Sequence, residues 1–265
     1  MPKTDSTRYT ILFAIAVCVV CALLVAVSAV GLRERQEANA LIYRQKNVLY
    51  AAGLVRPDED VTERELKKIF DDNIQVRLVD LAAGELATNA ALDPRTYDQR
   101  KAKNDPQLGR PAPPNHAGVS RLPVYGTVYF VVKNGTVDQV VLPIEGVGMW
   151  GTLYGFLALD RDGNTVRGLT YYDQKETPGL GGEVGNPKWQ ARWNGRKVYN
   201  QDWEPTLVVV KGSAGPPDED PLHVDGLSGA TITSNGVSRL TAFWMSKDGW
   251  GPFLKRFRAD KEFMP

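Results

Sequence analysis

The chain has 265 residues, 43 % of them hydrophobic and 24 % charged, which is the make-up of a folded protein of one or two domains rather than a disordered one. Its 32 basic and 31 acidic residues nearly cancel, so no net field recommends nucleic acid or an acidic substrate as partner. Both cysteines, Cys18 and Cys21, lie in the most apolar stretch, and the two histidines, His116 and His223, are far apart. This excludes a thiol nucleophile in the rest of the chain and a histidine-rich metal site.

No charged residue occurs between Arg8 and Arg33, and 11–30 is almost wholly Ala, Val, Leu, Ile, Phe and Cys. That run meets the requirement of about 20 apolar residues for crossing ~30 Å of hydrocarbon. A cleaved signal peptide is the competing reading, but an apolar core this long, running into Arg33 and Arg35, reads as an uncleaved anchor. The Cys-x-x-Cys spacing resembles a redox motif; such a site needs a strand-to-helix turn and access to water, and this stretch offers neither. Lys3 and Arg8 precede the span while Arg33, Arg35, Arg44 and Lys46 follow it, so a count of basic residues favours a cytoplasmic domain. Large domains translocate largely regardless of that count.

Leu41, Ile42, Val48, Leu49 and Ala52 then recur at helical spacing, continuing the anchor as an amphipathic helix. The expected organisation is a tail at 1–9, a transmembrane helix at 10–32, a juxtamembrane helix and linker at 33–60, and a soluble domain at 61–265. Thr62 with Glu65 forms a capping box at the head of a helix over 63–70, and Ile74, Val76 and Leu78 alternate as a strand. The stretch 93–123 is rich in Pro, Asn, Asp, Gln and Gly without periodicity, so it reads as a long surface excursion or a segment ordered only by a partner, and so a candidate docking surface. Two hairpins follow, 124–133 with 137–144 across Asn134-Gly135, and 152–160 with 165–172 around Asp162-Gly163. A further strand-like run covers 206–211. Val237, Leu240, Phe243 and Trp244 share one helix face, and 253–257 starts a last short helix. The fold class is α+β: one N-terminal transmembrane helix, then an antiparallel sheet covered by helices.

Gly146-Val-Gly148-Met-Trp150-Gly151 spells the dinucleotide fingerprint. That site needs a helix N-terminus for the pyrophosphate, whereas 152–160 reads as a strand; a tight bend with Trp150 beside a close backbone approach, or beside a ligand, fits better. Asp225-Gly-Leu-Ser228-Gly229-Ala230-Thr231 is a small-residue loop ending in hydroxyls at a helix start, where free N–H groups favour a phosphate. The plainer alternative is that Thr231, Thr233 or Ser234 is an N-cap and Asp225 a turn residue. Glu176-Thr177-Pro-Gly179-Leu180-Gly181-Gly has the glycines and proline of a rigid loop that a flat ring can approach closely.

The run 225–231 fits, at every specified position, the Asp-x-x-Ser/Thr-Gly-Ala-Thr pattern of proteins that bear FMN in phosphoester linkage on the final threonine. With the single span, the Gly-Met-Trp bend and the Glu-Thr-Pro loop in the same order, the chain resembles the C subunits of the sodium-translocating NADH:quinone reductases. It is also similar to the G subunit of Rnf-type electron-transport complexes, but the stretch 146–155 looks more like the reductase form. The resemblance implies FMN attached to Thr231 by a dedicated transferase that takes it from FAD. Asp225 would serve recognition or positioning, Gly229 and Ala230 would clear the approach beside Ser228, and Glu176, Thr177, Gly179, Leu180, Gly181, Trp150 and Lys211 would surround or tune the flavin. It further implies a six-subunit membrane complex of the bacterial inner membrane, a periplasmic domain, and relay of electrons from NADH towards quinone with no catalytic acid or base on this chain. A hypothesis of another class is an anchored assembly or binding module without a redox cofactor.

Overall fold

The computed structural model describes residues 7–87, 92–260 and 263; most of the expected N-terminal tail lies outside them. The chain divides into two compact units, Met1–Arg44 and Gln45–Pro265. The first is helical: α1 runs unbroken from Thr7–Ala51. Its most apolar 18-residue window has a mean hydropathy of 3.1 and is wholly unburied, so the helix is long and apolar enough to cross a membrane.

The second unit begins at Gln45, before the expected linker ends, because the last turns of α1 belong to its core. Val48, Leu49 and Ala51 are fully buried. Two sheet side chains reach this helix end: Gln139 Nε2 donates to Ala52 O, just past the last turn, at 2.9 Å, and Thr170 Oγ1 to Asn47 O at 3.4 Å. Helix α2, Glu63–Asn73, starts at the expected capping box, with Thr62 N donating to Glu65 Oε2 at 3.0 Å. Thr62→Ala is expected to cost about 1 kcal/mol, read as a lower thermal midpoint of the purified protein.

Six antiparallel strands follow in the order β2-β1-β5-β6-β7-β8: β1 Ile74–Asp80, β2 Glu85–Leu86, β5 Tyr125–Lys133, β6 Thr136–Val147, β7 Thr152–Asp160 and β8 Val166–Asp173. Successive side chains point to opposite faces, and here both faces are covered. Val128, Phe130, Val140, Leu142 and Leu157 join the core under α5 (Thr231–Met245) and α6 (Gly251–Ala259). Tyr129, Val131, Val141, Phe156 and Ala158 pack with the end of α1 and α2. Double coverage explains the nearly continuous apolar runs in these strands. Both expected hairpins are present, with Asn134 and Gly135 at φ 51° and 79° as a two-residue turn of this kind demands.

Of the two readings of 93–123, ordering only by a partner is the one that fails. The stretch is ordered by its own chain: α3 (Gln99–Ala102) is capped by Asp98, and β3 (Gly109–Pro111) pairs with β4 (Arg121–Pro123). The Asn115 side chain bonds Pro113 O, Val119 O, Ala117 N and Val119 N, while Ala117, Val119 and Leu122 enter the main core. Turn-forming side chains supply the order here, so the sequence shows no periodicity. Ala117 O accepts Val147 N at 2.8 Å and so braces the end of β6.

Candidate functional site

Between β8 and α5 the chain builds short pieces: α4 (Pro187–Gln190), a 3-10 turn at Ala191–Trp193, and a parallel pair of β9 (Val208–Val209) with β10 (His223–Val224). These frame a cleft of about 440 Å³ lined by Arg192, Lys211, Asp225, Ser228, Gly229 and Thr231 among others. Of the residues singled out from the sequence, Lys211, Asp225, Ser228, Gly229 and Thr231 therefore meet in one cleft.

None of the three hydroxyl residues at the head of α5 is its N-cap. That position is Ala230, which has no capping hydrogen bond, although alanine is among the poorest N-caps. Thr231 is the first helical residue, so it and the next amides stand at the uncapped, positive end of a 15-residue helix. Thr233 and Ser234 are buried and occupied: Thr233 Oγ1 donates to Glu176 Oε2 at 2.5 Å, and Ser234 Oγ accepts Leu227 N at 3.2 Å. Thr231 alone of the three is exposed. Gly229 has φ +70°, a conformation that calls for glycine, and Leu180 Cδ2 lies 2.9 Å from where a Cβ there would stand.

Asp225 is a buried tie rather than an exposed turn residue. Its Oδ1 accepts Ala214 N at 2.9 Å, its Oδ2 pairs with Arg192, and its backbone carbonyl accepts Trp189 Nε1 at 2.9 Å. Two segments, the continuous piece 187–193 and the loop at Ala214, thus converge on the first residue of the 225–231 loop. Arg192 was not among the sequence candidates. The Asn186-Pro187 pair is a helix-start signal that could have located its turn, but the long-range ion pair has no local signature. Next to this loop, Asp220 is held below the usual carboxylate range by its hydrogen bond with His223, an effect partly offset by burial.

A second group adjoins the cleft through Leu180. Thr177 O accepts Leu180 N at 3.1 Å across Pro178 and Gly179, the latter at φ +75°, which is a type II turn. Thr177, Gly179 and Leu180 are exposed at its tip, and Gly181 is buried. The Gly146–Gly151 motif is the β6-to-β7 bend, closed by Gly148 N to Gly151 O at 2.8 Å, and no helix follows it. Its tip exposes Met149 and Trp150, the latter 63 % exposed. Glu176 does not face the cleft: it is 5 % exposed and its carboxylate accepts Met149 N, Trp150 N and the Thr233 hydroxyl. Among the described residues no cluster of three or more His, Cys, Asp or Glu could hold a metal ion.

A threonine at an uncapped helix start, with cations in its cleft and exposed apolar side chains on the adjoining loops, suits a phosphate joined to a flat ring. Residues 148–246 match the family described as FMN-binding domain, so the class is a flavin-binding domain. Over 97 % of its length the chain is 42 % identical to the C subunit of the Na(+)-translocating NADH-quinone reductase of Yersinia pestis, covering 95 % of that protein. It is 44 % identical to the corresponding protein of Pseudomonas aeruginosa over 97 % of this chain and 98 % of that one. The crystal structure of Shewanella oneidensis NqrC superposes with a TM-score of 0.76 at 28 % identity, over 84 % of this chain and all of that one. The chain belongs to the family of C subunits of the Na(+)-translocating NADH-quinone reductases.

Proposed function

We propose that this chain is an electron-transfer subunit of a Na(+)-translocating NADH-quinone reductase, carrying FMN in phosphoester linkage on Thr231. The observation that carries the attachment site is the division of labour at the head of α5: two hydroxyls are buried and bonded, and the third stands exposed in a cleft with Arg192 and Lys211. FMN, when bound, supplies the redox chemistry by taking up and releasing electrons.

The chain's residues hold and orient it. Thr231 provides the ester oxygen, and the first-turn amides that Ala230 leaves uncapped favour the phosphate. Lys211 and Arg192 line the cleft as its counter-charges. Exposed Trp150, Met149, Leu180 and Ile232 offer apolar surface for the ring, with Thr177 and Gly179 at the neighbouring turn. Ser228, Gly229 and Ala230 give the small-residue approach that a transferase delivering FMN from FAD requires. No acid, base or nucleophile of this chain takes part in a relay of this kind. The apolar part of α1 anchors the protein in the bacterial inner membrane beside the other members of a six-subunit complex, with the domain in the periplasm.

The alternative as an Rnf-type G subunit yields to the near-full-length identity with the reductase proteins, and the cofactor-free module to the FMN-binding domain match. The test is the full chain expressed with an FMN transferase and run on a denaturing gel. An ultraviolet-fluorescent band is expected. A dark band, with the transferase active on a control protein, would leave an anchored module without covalent flavin.

A further inference from the structure

Glu176 is placed where a carboxylate is costly, at 5 % exposure, and the chain matches it with three donors. Its Oε1 accepts Met149 N at 3.0 Å and Trp150 N at 2.9 Å; its Oε2 accepts Thr233 Oγ1 at 2.5 Å. Two of these donors belong to the β6-to-β7 bend and one to the first turn of α5, two residues beyond Thr231. The loop that carries Glu176 also carries Leu180, whose Cδ2 lies against Gly229. One buried carboxylate therefore registers three segments, and each of them exposes apolar side chains: Met149 and Trp150, Leu180, and Ile232.

The surrounding glycines fit this role. A Cβ on Gly148 would lie 2.6 Å from Glu176 Oε1, and one on Gly181 would lie 2.6 Å from Oε2. Both segments thus close over the carboxylate because they have no side chain there. A group enclosed on two sides, with both oxygens bonded inside the protein, is not available to hydrogen-bond a ring in the cleft.

We infer that Glu176 is a positioning residue: by tying the Trp150 bend to the helix start that bears Thr231, it sets how the flavin ring lies without touching it. This rests on the attachment of FMN to Thr231 proposed above. Charge-assisted hydrogen bonds of this kind hold geometry as well as energy. Glutamine can keep the arrangement, because its carbonyl accepts both backbone N–H groups and its amide donates to Thr233, whereas alanine leaves three donors unmatched.

The experiment uses the full chain co-expressed with an FMN transferase, as wild type, Glu176→Gln, Glu176→Ala and Gly148→Ala. Each is read for covalent flavin on a denaturing gel and for the visible circular dichroism of the flavin in the native protein. Gly148→Ala disturbs the same tie from the bend, since its new Cβ would meet Glu176 Oε1 rather than backbone, and the unfolding midpoint of each variant separates loss of the tie from misfolding. The expected result is covalent flavin in all four, with the visible signal largely lost in Glu176→Ala and Gly148→Ala and retained in Glu176→Gln. In the flavin-free Thr231→Val background, Glu176→Ala should also speed hydrogen exchange at the Met149 and Trp150 amides. A bright Glu176→Ala band with wild-type dichroism would overturn the inference and leave FMN attachment intact. Loss of signal in Glu176→Gln equal to that in Glu176→Ala would overturn it as well, because charge rather than position would then decide. A dark wild-type band would overturn both.

Discussion

Replacing Thr231 with valine is expected to abolish covalent flavin, whereas Thr233→Val and Ser234→Ala, within three residues of it, keep the flavin and lose stability instead. The contrast follows from where the three hydroxyls sit. Thr231 is exposed at the first position of α5, so valine removes the only atom able to form the ester there and disturbs little packing. Thr233 is 1 % exposed and donates to the Glu176 carboxylate; losing a buried bond to a charged group costs about 2 kcal/mol. Ser234 is 4 % exposed and caps Leu227 N, and leaving that amide unmatched costs ~1 kcal/mol. In-gel fluorescence and thermal unfolding on the same preparations separate the two effects. Fluorescence persisting in Thr231→Val would remove the attachment site from this residue, and its loss in Thr233→Val without unfolding would move the site two positions along the helix.

The elements set by local chemistry were legible in the sequence. The capping box at Thr62 and Glu65, the Asn134-Gly135 turn, the apolar face of α5 and the uncharged run before Arg33 each depend on neighbours within one or two turns. The run 225–231 was legible as a resemblance, and Asp225, Ser228, Gly229 and Thr231 of that run do line one cleft. What local patterns could not convey was how the distant pieces meet. Whether Thr231 or a neighbour capped α5 was open until Ala230 proved to hold that position. Glu176 looked like a ring contact because its loop is rich in glycine, but the glycines admit its own carboxylate, not only a ligand. The stretch 93–123 left ordering by a partner open because Asn115 and Asp98 order it through hydrogen bonds that leave no period. Arg192 went unnoticed because an ion pair with a partner more than thirty positions away leaves no trace in spacing.

The second large effect is expected at Asp225, and it distinguishes two roles for the first residue of the acceptor motif. A transferase that reads the carboxylate directly needs it at the surface, yet the Asp225 side chain is only 12 % exposed and is paired with Arg192 and Ala214 N. Asp225→Ala removes both contacts. The half-exposed Arg192 loses at most ~1 kcal/mol from a screened pair, while the Ala214 amide loses a bond to a charged acceptor, which costs about 2 kcal/mol. The loop from Asp225 to Ala230 is then no longer held to Arg192 and Ala214, although its tie to Trp189 survives through the backbone. If the attachment-ready loop falls in population by ~1.4 kcal/mol, covalent flavin at fixed transferase and time drops about tenfold. Asp225→Asn is the decisive companion, because its side-chain oxygen can still accept Ala214 N and only the weak ion pair is lost. Flavin incorporation near the wild-type rate in Asp225→Asn, against a marked fall in Asp225→Ala, assigns Asp225 to shaping the loop. Equal failure of both variants, with unfolding midpoints preserved, would assign it to recognition by the transferase and would require the loop to open before Thr231 is modified.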